Sequence, residues 1–241
     1  MNWLITGGCG FIGTSLIARL LLNTDVKHNI RILDNLSTGT RADLSSVASF
    51  LEVESIDNLS ISLDGVELVV GDILDEGLAY KVTKNIDVIV HLAANTGVGP
   101  SVENPRFDCF TNVIGVFNYL DAARINKVPR FIFASSGAPA GEVDPPIHEE
   151  LPPHPVSPYG ASKLAGEGYC SAYNKSFGID TVMLRFGNVY GPRSLHKSSV
   201  VAKFIRQALD GETLEVYGDG TQTRDFIYID DLVDALILSS H

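Results

Sequence analysis

Residues 2–13, NWLITGGCGFIG, decide how the rest of the chain is read. Asn2 to Thr6 is a short apolar run, and Gly7, Gly10 and Gly13 follow it. From Thr14 to Leu22 the residues Leu16, Ile17, Leu20 and Leu21 recur at helical spacing. The glycines therefore fall on a strand-to-helix turn, the context in which their spacing carries meaning. Gly7 permits a tight turn, Gly10 removes a side chain where a pyrophosphate approaches the backbone, and Gly13 lets the helix pack close to the strand. The free N–H groups of the helix start then face an anion. Arg31-Ile32-Leu33 reads as the second strand and Asp34 ends it, 21 residues after Gly13. A carboxylate there accepts hydrogen bonds from both hydroxyls of an adenosine ribose and repels a 2′-phosphate, so NAD is expected rather than NADP.

The 241 residues allow one large or two small domains, and 45% hydrophobic residues suffice for a sizeable core. A net charge of −11 with no basic cluster argues against nucleic-acid or anionic-membrane partners. A phosphorylated ligand must then be held by local donors. Cys9, Cys109 and Cys170 are scattered without metal-ligand spacing, so no metal is expected. Their odd number and the lack of a secretory signal lead to the expectation of a reducing cytoplasm. The N-terminus runs straight into the first strand, and no apolar run approaches the ~20 residues of a membrane span.

Further strands are expected at Val66–Val70, Val88–His91, Arg130–Ala134 and Thr181–Leu184. Long helices are expected over Arg106–Arg124, with Val113, Val116, Phe117 and Leu120 on one side, and from Pro158 to about Phe177. Residues 40–65 read as irregular, with weak helical periodicity around Leu44 and Val47. This alternation implies an α/β fold, a doubly wound parallel sheet with helices on both faces. Continuous apolar strands fit, because such strands are buried on both sides. The polar or glycine-bearing segments 7–13, 34–39, 72–73, 92–97, 135–137 and 186–191 all follow strands. They collect at the carboxyl edge of the sheet, where ligands bind in these folds. After Gly191 the rhythm changes to a helix at Val200–Leu209, short strands at Thr213–Tyr217 and Arg224–Ile229, and a helix from Asp231. Residues 1–190 are expected to form the dinucleotide-binding domain, with 224–241 returning to it. Residues 191–223 read as part of a small substrate lobe, incomplete because the chain is read as stopping in mid-helix.

Tyr159 and Lys163, in the run YGASK, share one helix face. A tyrosine hydroxyl has a pKa of about 10. An ammonium beside it favours the phenolate, giving a base usable near neutrality. Ser135 and Ser136 follow the fifth strand, and either hydroxyl there can bind the substrate oxygen that gains or loses the proton.

The stretches TGGCGFIG, DNLSTG, GDI, HLAAN, SSG, SPYGASK, LRFGNVYGPR and YGDGTQTRDFIYIDD occur in order along nearly the whole chain. With them the sequence resembles the extended short-chain dehydrogenase/reductase family, in particular its nucleotide-sugar epimerases of the UDP-glucose 4-epimerase type. The resemblance implies a Rossmann-type sheet with a small C-terminal substrate lobe. It implies NAD held by Gly7, Gly10, Phe11, Ile12, Asp34, Asn35, Ser37, Thr38, Gly39, Asp72, Ile73, Leu92, Ala93, Ala94, Asn112, Tyr159 and Lys163. Ser136, rather than Ser135, is the implied partner of Tyr159 and Lys163 in catalysis. Asn188, Val200, Tyr217 and Arg224 are the implied contacts of a nucleotide-sugar, with Ser136. Arg224 also has a physical case, since a diphosphate suits a forked cation in an otherwise acidic protein.

Two departures matter. Where the epimerases usually carry Val-Tyr-Gly, this chain has Pro139-Ala140-Gly141, in a loop expected to line the site. Where the family's dehydratases carry an acid after the serine or threonine, Gly137-Ala138 stands, and the nearest acid is Glu142. The expected activity is inversion of C4 of a UDP-hexose in the cytoplasm. A 4,6-dehydratase or ketoreductase on the same scaffold, or a non-catalytic NAD sensor, are the alternatives. By analogy a homodimer is expected, through helices 106–124 and 157–177.

Overall fold

A computed structural model describes residues 1–22, 26–59, 63–194 and 199–241. In chain order the elements begin with β1 (Asn2–Thr6), α1 (Phe11–Leu22), β2 (Asn29–Asp34), α2 (Arg41–Ser45), β3 (Leu51–Glu52), β4 (Val66–Val70), α3 (Glu76–Val82) and β5 (Val88–His91). Then come α4 (Val98–Glu103), α5 (Pro105–Cys109), a π-helical turn (Phe110–Ile114), α6 (Gly115–Asn126), β6 (Arg130–Ser136), α7 (Pro158–Phe177) and β7 (Asp180–Phe186). The chain closes with β8 (Asn188–Tyr190), α8 (Val200–Leu209), β9 (Phe226–Tyr228) and α9 (Ile229–Leu238).

Seven of the described strands form one sheet in the order β3-β4-β2-β1-β5-β6-β7, and every pairing in it is parallel. The strand order reverses at β1, between β2 and β5, and the crevice there opens at the carboxyl ends of the strands. Period-two alternation divides the core. Trp3, Ile5, Val88, Val90 and Ile132 pack with Leu16, Ile17 and Leu20 of α1 and Leu232, Val233 and Leu236 of α9. Leu4, Ile89, Phe131 and Phe133 face Leu78 and Val82 of α3, Tyr119 and Leu120 of α6, and Cys170 and Tyr173 of α7. The central strands β1, β2, β5 and β6 are therefore mostly apolar, because both faces are covered, and the buried charge of Arg31 on β2 is answered by Glu67 on β4.

Several expectations need correction. Residues 40–65 are not wholly irregular: a reciprocal capping box between Thr40 and Asp43 starts α2. The helix α3, capped by the Asp75 side chain on the N–H of Leu78 at 2.9 Å, was not anticipated. The single helix expected over 106–124 is interrupted, because the π-helical turn between α5 and α6 adds a residue to its winding. No strand forms at Thr213–Tyr217. Residues 211–225 are exposed and have no neighbouring strand to pair with. The strand expected at Arg224–Ile229 is only Phe226–Tyr228, pairing parallel with the unanticipated β8. The last helix spans Ile229–Leu238, with Ser239 as its cap. Among the described residues, no helix is long and apolar enough to cross a membrane.

One core group makes the fold pH-sensitive. His91 is fully buried at the end of β5, stacked among Tyr119, Phe131 and Phe133. Its Nδ1 lies 3.1 Å from Thr6 Oγ1 and its Nε2 has no partner. Burial, with some repulsion from Lys163, pushes its pKa down from 6.5 to about 3. Below pH 6.5 the unfolded chain takes up a proton that the folded chain refuses. Stability is therefore complete above that pH and is lost as pH falls toward 3. Between pH 7 and pH 5 this group should cost about 2 kcal/mol, read by urea unfolding. A His91→Gln variant should lack that increment of acid sensitivity.

Candidate functional site

At the switch point lies a cleft of about 1030 Å³. Its floor is the glycine turn. Gly7 adopts φ +70° and donates its N–H to Leu33 O at 2.8 Å, which ties the end of β1 to β2. A Cβ on Gly13 would sit 2.5 Å from Gly8 Cα and 2.7 Å from Gly7 O. Only a hydrogen fits there, so α1 starts directly against the end of β1 and its first turn lines the cleft.

Asp34, almost fully buried at the end of β2, holds the loop in place. Its Oδ2 accepts the N–H of Cys9 at 2.9 Å and its Oδ1 that of Leu36 at 2.8 Å. Burial raises its carboxyl above the usual range, against the pull of those two N–H groups. Each oxygen retains a lone pair for a ribose hydroxyl. Asn35, Ser37, Thr38 and Gly39 continue the wall, and Asn35 Nδ2 donates to Asp72 Oδ2 at 3.2 Å. Gly39 presses on the glycine loop so closely that a Cβ would lie 2.3 Å from the carbonyl carbon of Cys9. Asp72 and Ile73 follow β4, and Leu92, Ala93 and Ala94 follow β5. A cleft lined by the Asp34 carboxylate and by the glycine turn has the donors and acceptors that a dinucleotide needs.

The far end carries the ionisable pair. Ser157 caps α7 by accepting the N–H of Gly160 at 3.1 Å, and Pro158 occupies the first helical position. One turn in, Tyr159 and Lys163 face the cleft. Lys163 Nζ donates to Ala134 O at 2.8 Å and lies 4.9 Å from the centre of the Phe133 ring and 5.8 Å from that of Tyr159. Burial pushes Lys163 down to about 8, and Asp108 opposes this. Tyr159 departs from expectation: its hydroxyl is raised above 10. Lost hydration of the phenolate outweighs a hydrogen bond from Ser136, and the charge of Asp108 adds to the rise.

The geometry also separates the two serines. Ser135 donates its hydroxyl to Glu167 Oε1 at 2.5 Å, and Arg185 grips the same carboxylate through Nε at 2.8 Å and Nη2 at 2.7 Å. Ser135 is thus committed to the protein. Ser136 lines the cleft beside Tyr159 and is the hydroxyl left for a ligand.

Asn112 does not line the cleft. It sits behind the wall, its Oδ1 accepting the N–H of Asn95 at 2.8 Å and its Nδ2 donating to Asn95 O at 2.9 Å. Asn188, Val200, Tyr217 and Arg224 are exposed and none lines the cleft. Arg224 donates to Thr223 O and Gln222 Oε1, and Lys203 lies over the Tyr217 ring. Their immediate neighbours Val189 and Ser199 do line it. The loop expected to line the site does not: Pro139 and Ala140 are buried in a short 3-10 turn that packs on α7. Cys9, Thr96, Phe186 and Gly187 also line the cleft, within the segments 7–13, 92–97 and 186–191 expected at this edge, whereas Phe107, Thr111 and Arg193 were not anticipated. Thr111 Oγ1 is buried with no partner on this wall. Phe186 ends β7 and Gly187 follows it, at the carboxyl edge of the sheet.

Against known proteins, residues 3–240 match the NAD dependent epimerase/dehydratase family. A UDP-glucose 4-epimerase of Mycolicibacterium smegmatis is 37% identical over 242 residues, spanning 98% of this chain and 72% of that protein. The structure is similar to the UDP-N-acetylglucosamine 4-epimerase of Methanobrevibacter ruminantium in complex with UDP-N-acetylmuramic acid. The TM-score is 0.86 at 33% identity, covering 99% of this chain and 72% of that one. It is also similar to the UDP-glucose 4-epimerase of Thermus thermophilus in complex with NAD, with a TM-score of 0.84 at 35% identity, covering 99% and 74% of the two chains. Sequence, sheet topology and cleft agree, and the chain belongs to the NAD-dependent epimerase/dehydratase family.

Proposed function

We propose that the protein inverts C4 of a UDP-linked hexose. The observation that carries this reading is the convergence of Ser136, Tyr159 and Lys163 at one end of a cleft whose other end is Asp34. Tyr159, as phenolate, takes the proton from the sugar 4-hydroxyl, and Ser136 hydrogen-bonds the same oxygen. Lys163 supplies the positive charge that holds the phenolate. Asp34 and the glycine turn would hold NAD, which when bound accepts and returns a hydride. The reaction is therefore redox-neutral overall, and the protein needs to present both faces of a transient 4-keto sugar. Anchoring the nucleotide away from C4 lets binding energy hold the substrate while the sugar turns.

The absence of a carboxylate at Gly137-Ala138 favours this reading over a dehydratase, which needs an acid to expel the C6 hydroxyl. Glu142 is exposed and outside the cleft. The test is incubation of UDP-glucose or UDP-N-acetylglucosamine with catalytic amounts of protein and no added reductant. The expected product is the C4 epimer without net NADH. A stable 4-keto-6-deoxy sugar would identify a dehydratase, stoichiometric cofactor consumption a ketoreductase, and no turnover a sensor.

A homodimer is part of the proposal. Phe110, Ile114 and Phe117 on one helical stretch and Tyr169 on α7 are exposed side by side, with Phe117 and Tyr169 rings 5.5 Å apart. A cytoplasmic location is supported by Cys9, Cys109 and Cys170, all free thiols.

A further inference from the structure

Behind Tyr159 and Lys163 lies a carboxylate that the chemistry above leaves unused. Asp108, on α5, is fully buried. Its Oδ1 accepts the side-chain amides of Asn112 at 2.9 Å and Asn95 at 3.3 Å. Its Oδ2 is buried with no hydrogen-bond partner. Asn112 Nδ2 also reaches Ser162 Oγ at 3.2 Å, and Ser162 donates to the carbonyl of Tyr159 at 3.0 Å. The carboxylate is thereby wired to the first turn of the catalytic helix and to the 95–97 turn of the cleft wall.

An ionised carboxylate enclosed away from water is costly unless a cation answers it. Lys163 is the buried cation here, and its one hydrogen bond is to a neutral carbonyl. The other ionisable groups on the surrounding elements are accounted for. His91 on β5 is neutral. Glu167 on α7 is held by Ser135 and by Arg185 of β7. Glu103 on α4 and Arg106 on α5 are exposed. Cys109 on α5 and Tyr169 and Lys175 on α7 are exposed, Tyr173 donates to Asp121, and burial keeps Cys170 a neutral thiol. Tyr159 is the remaining group, and it sits on the helix that carries Lys163.

We propose that Asp108 is a positioning residue, the buried counter-ion that holds Lys163 as an ammonium and, through Asn112, fixes the wall beside Tyr159. The charge of Asp108 favours protonation of both Lys163 and Tyr159, which agrees with this arrangement. The inference rests on the catalytic reading of Tyr159 and Lys163. Its test reads both side chains directly, so it can fail while that reading stands.

The test is Asp108→Asn, which keeps the shape and the acceptor for Asn112 and removes the charge. Lys163 is titrated by carbon NMR of labelled lysine, assigned with Lys163→Met. Tyr159 is titrated by phenolate absorbance, assigned with Tyr159→Phe. In Asp108→Asn both midpoints should fall, that of Lys163 by about one unit. The kcat–pH profile should move to lower pH with KM little changed. Should Asp108→Asn not fold, Asp108→Glu keeps the charge and must leave the Lys163 midpoint in place. An unmoved Lys163 midpoint in folded Asp108→Asn, or a moved one in Asp108→Glu, would overturn the proposal.

Discussion

Replacing Tyr159 by Phe is expected to lower kcat about a thousandfold while NAD stays bound. The substitution removes one oxygen and leaves the ring against the wall, so neither α7 nor the glycine turn is disturbed. What disappears is the group that carries the substrate proton. Because burial holds the wild-type hydroxyl above its ordinary pKa of 10, few phenolates exist at neutral pH in the bare protein. The positive charges of Lys163 and of an oxidised nicotinamide then have to bring it down. Wild-type activity should accordingly rise with pH through its acid limb. A steady-state assay with cofactor retention followed by fluorescence checks both halves, and a variant that keeps its activity would remove Tyr159 as the base.

Gly13→Ala should be nearly as damaging, through cofactor binding instead of chemistry. The added carbon meets Gly8 Cα and Gly7 O at 2.5 and 2.7 Å, backbone atoms that cannot rotate away. To relieve this, α1 must lift from β1. Overpacking of this kind costs about 1–3 kcal/mol of stability. The glycine loop that faces the dinucleotide moves with the helix, and Kd for NAD should rise at least about tenfold, or ~1.4 kcal/mol. Gly168→Ala is the control. That position is exposed in the interior of α7 and its Cβ would meet nothing within 4 Å. It should keep NAD affinity and gain a little stability. Calorimetry on both variants separates a steric effect from a general loss of glycine.

The parts of this protein that were legible beforehand are those with strong local rules. A glycine turn between a strand and a helix, an acid at the end of the next strand, and runs such as VELVV and VIVH each specify one outcome from neighbours in sequence. Short elements were not legible. Seven-residue α3 contains Gly77 and charged residues, and three-residue β8 and β9 exist only because each has the other to pair with. Burial was not legible either. Tyr159 and Lys163 were placed correctly on one face, yet the direction of the Tyr159 shift depends on enclosure by β6 and α5, which no spacing reveals. Asn112 was placed near the dinucleotide by resemblance. The π-helical turn carries it behind the wall, where it holds Asn95. The choice between Ser135 and Ser136 needed Glu167 and Arg185, both more than thirty residues away along the chain.

The most direct measurement follows the hydrogen at C4. UDP-glucose carrying deuterium at C4 is incubated with the protein in ordinary water, and the epimer is examined by NMR and mass spectrometry. Removal and return of a hydride within one closed site predicts an epimer with its deuterium still on C4. Loss of the label to solvent, or an epimer formed with the C4–O bond exchanged instead, would contradict the account.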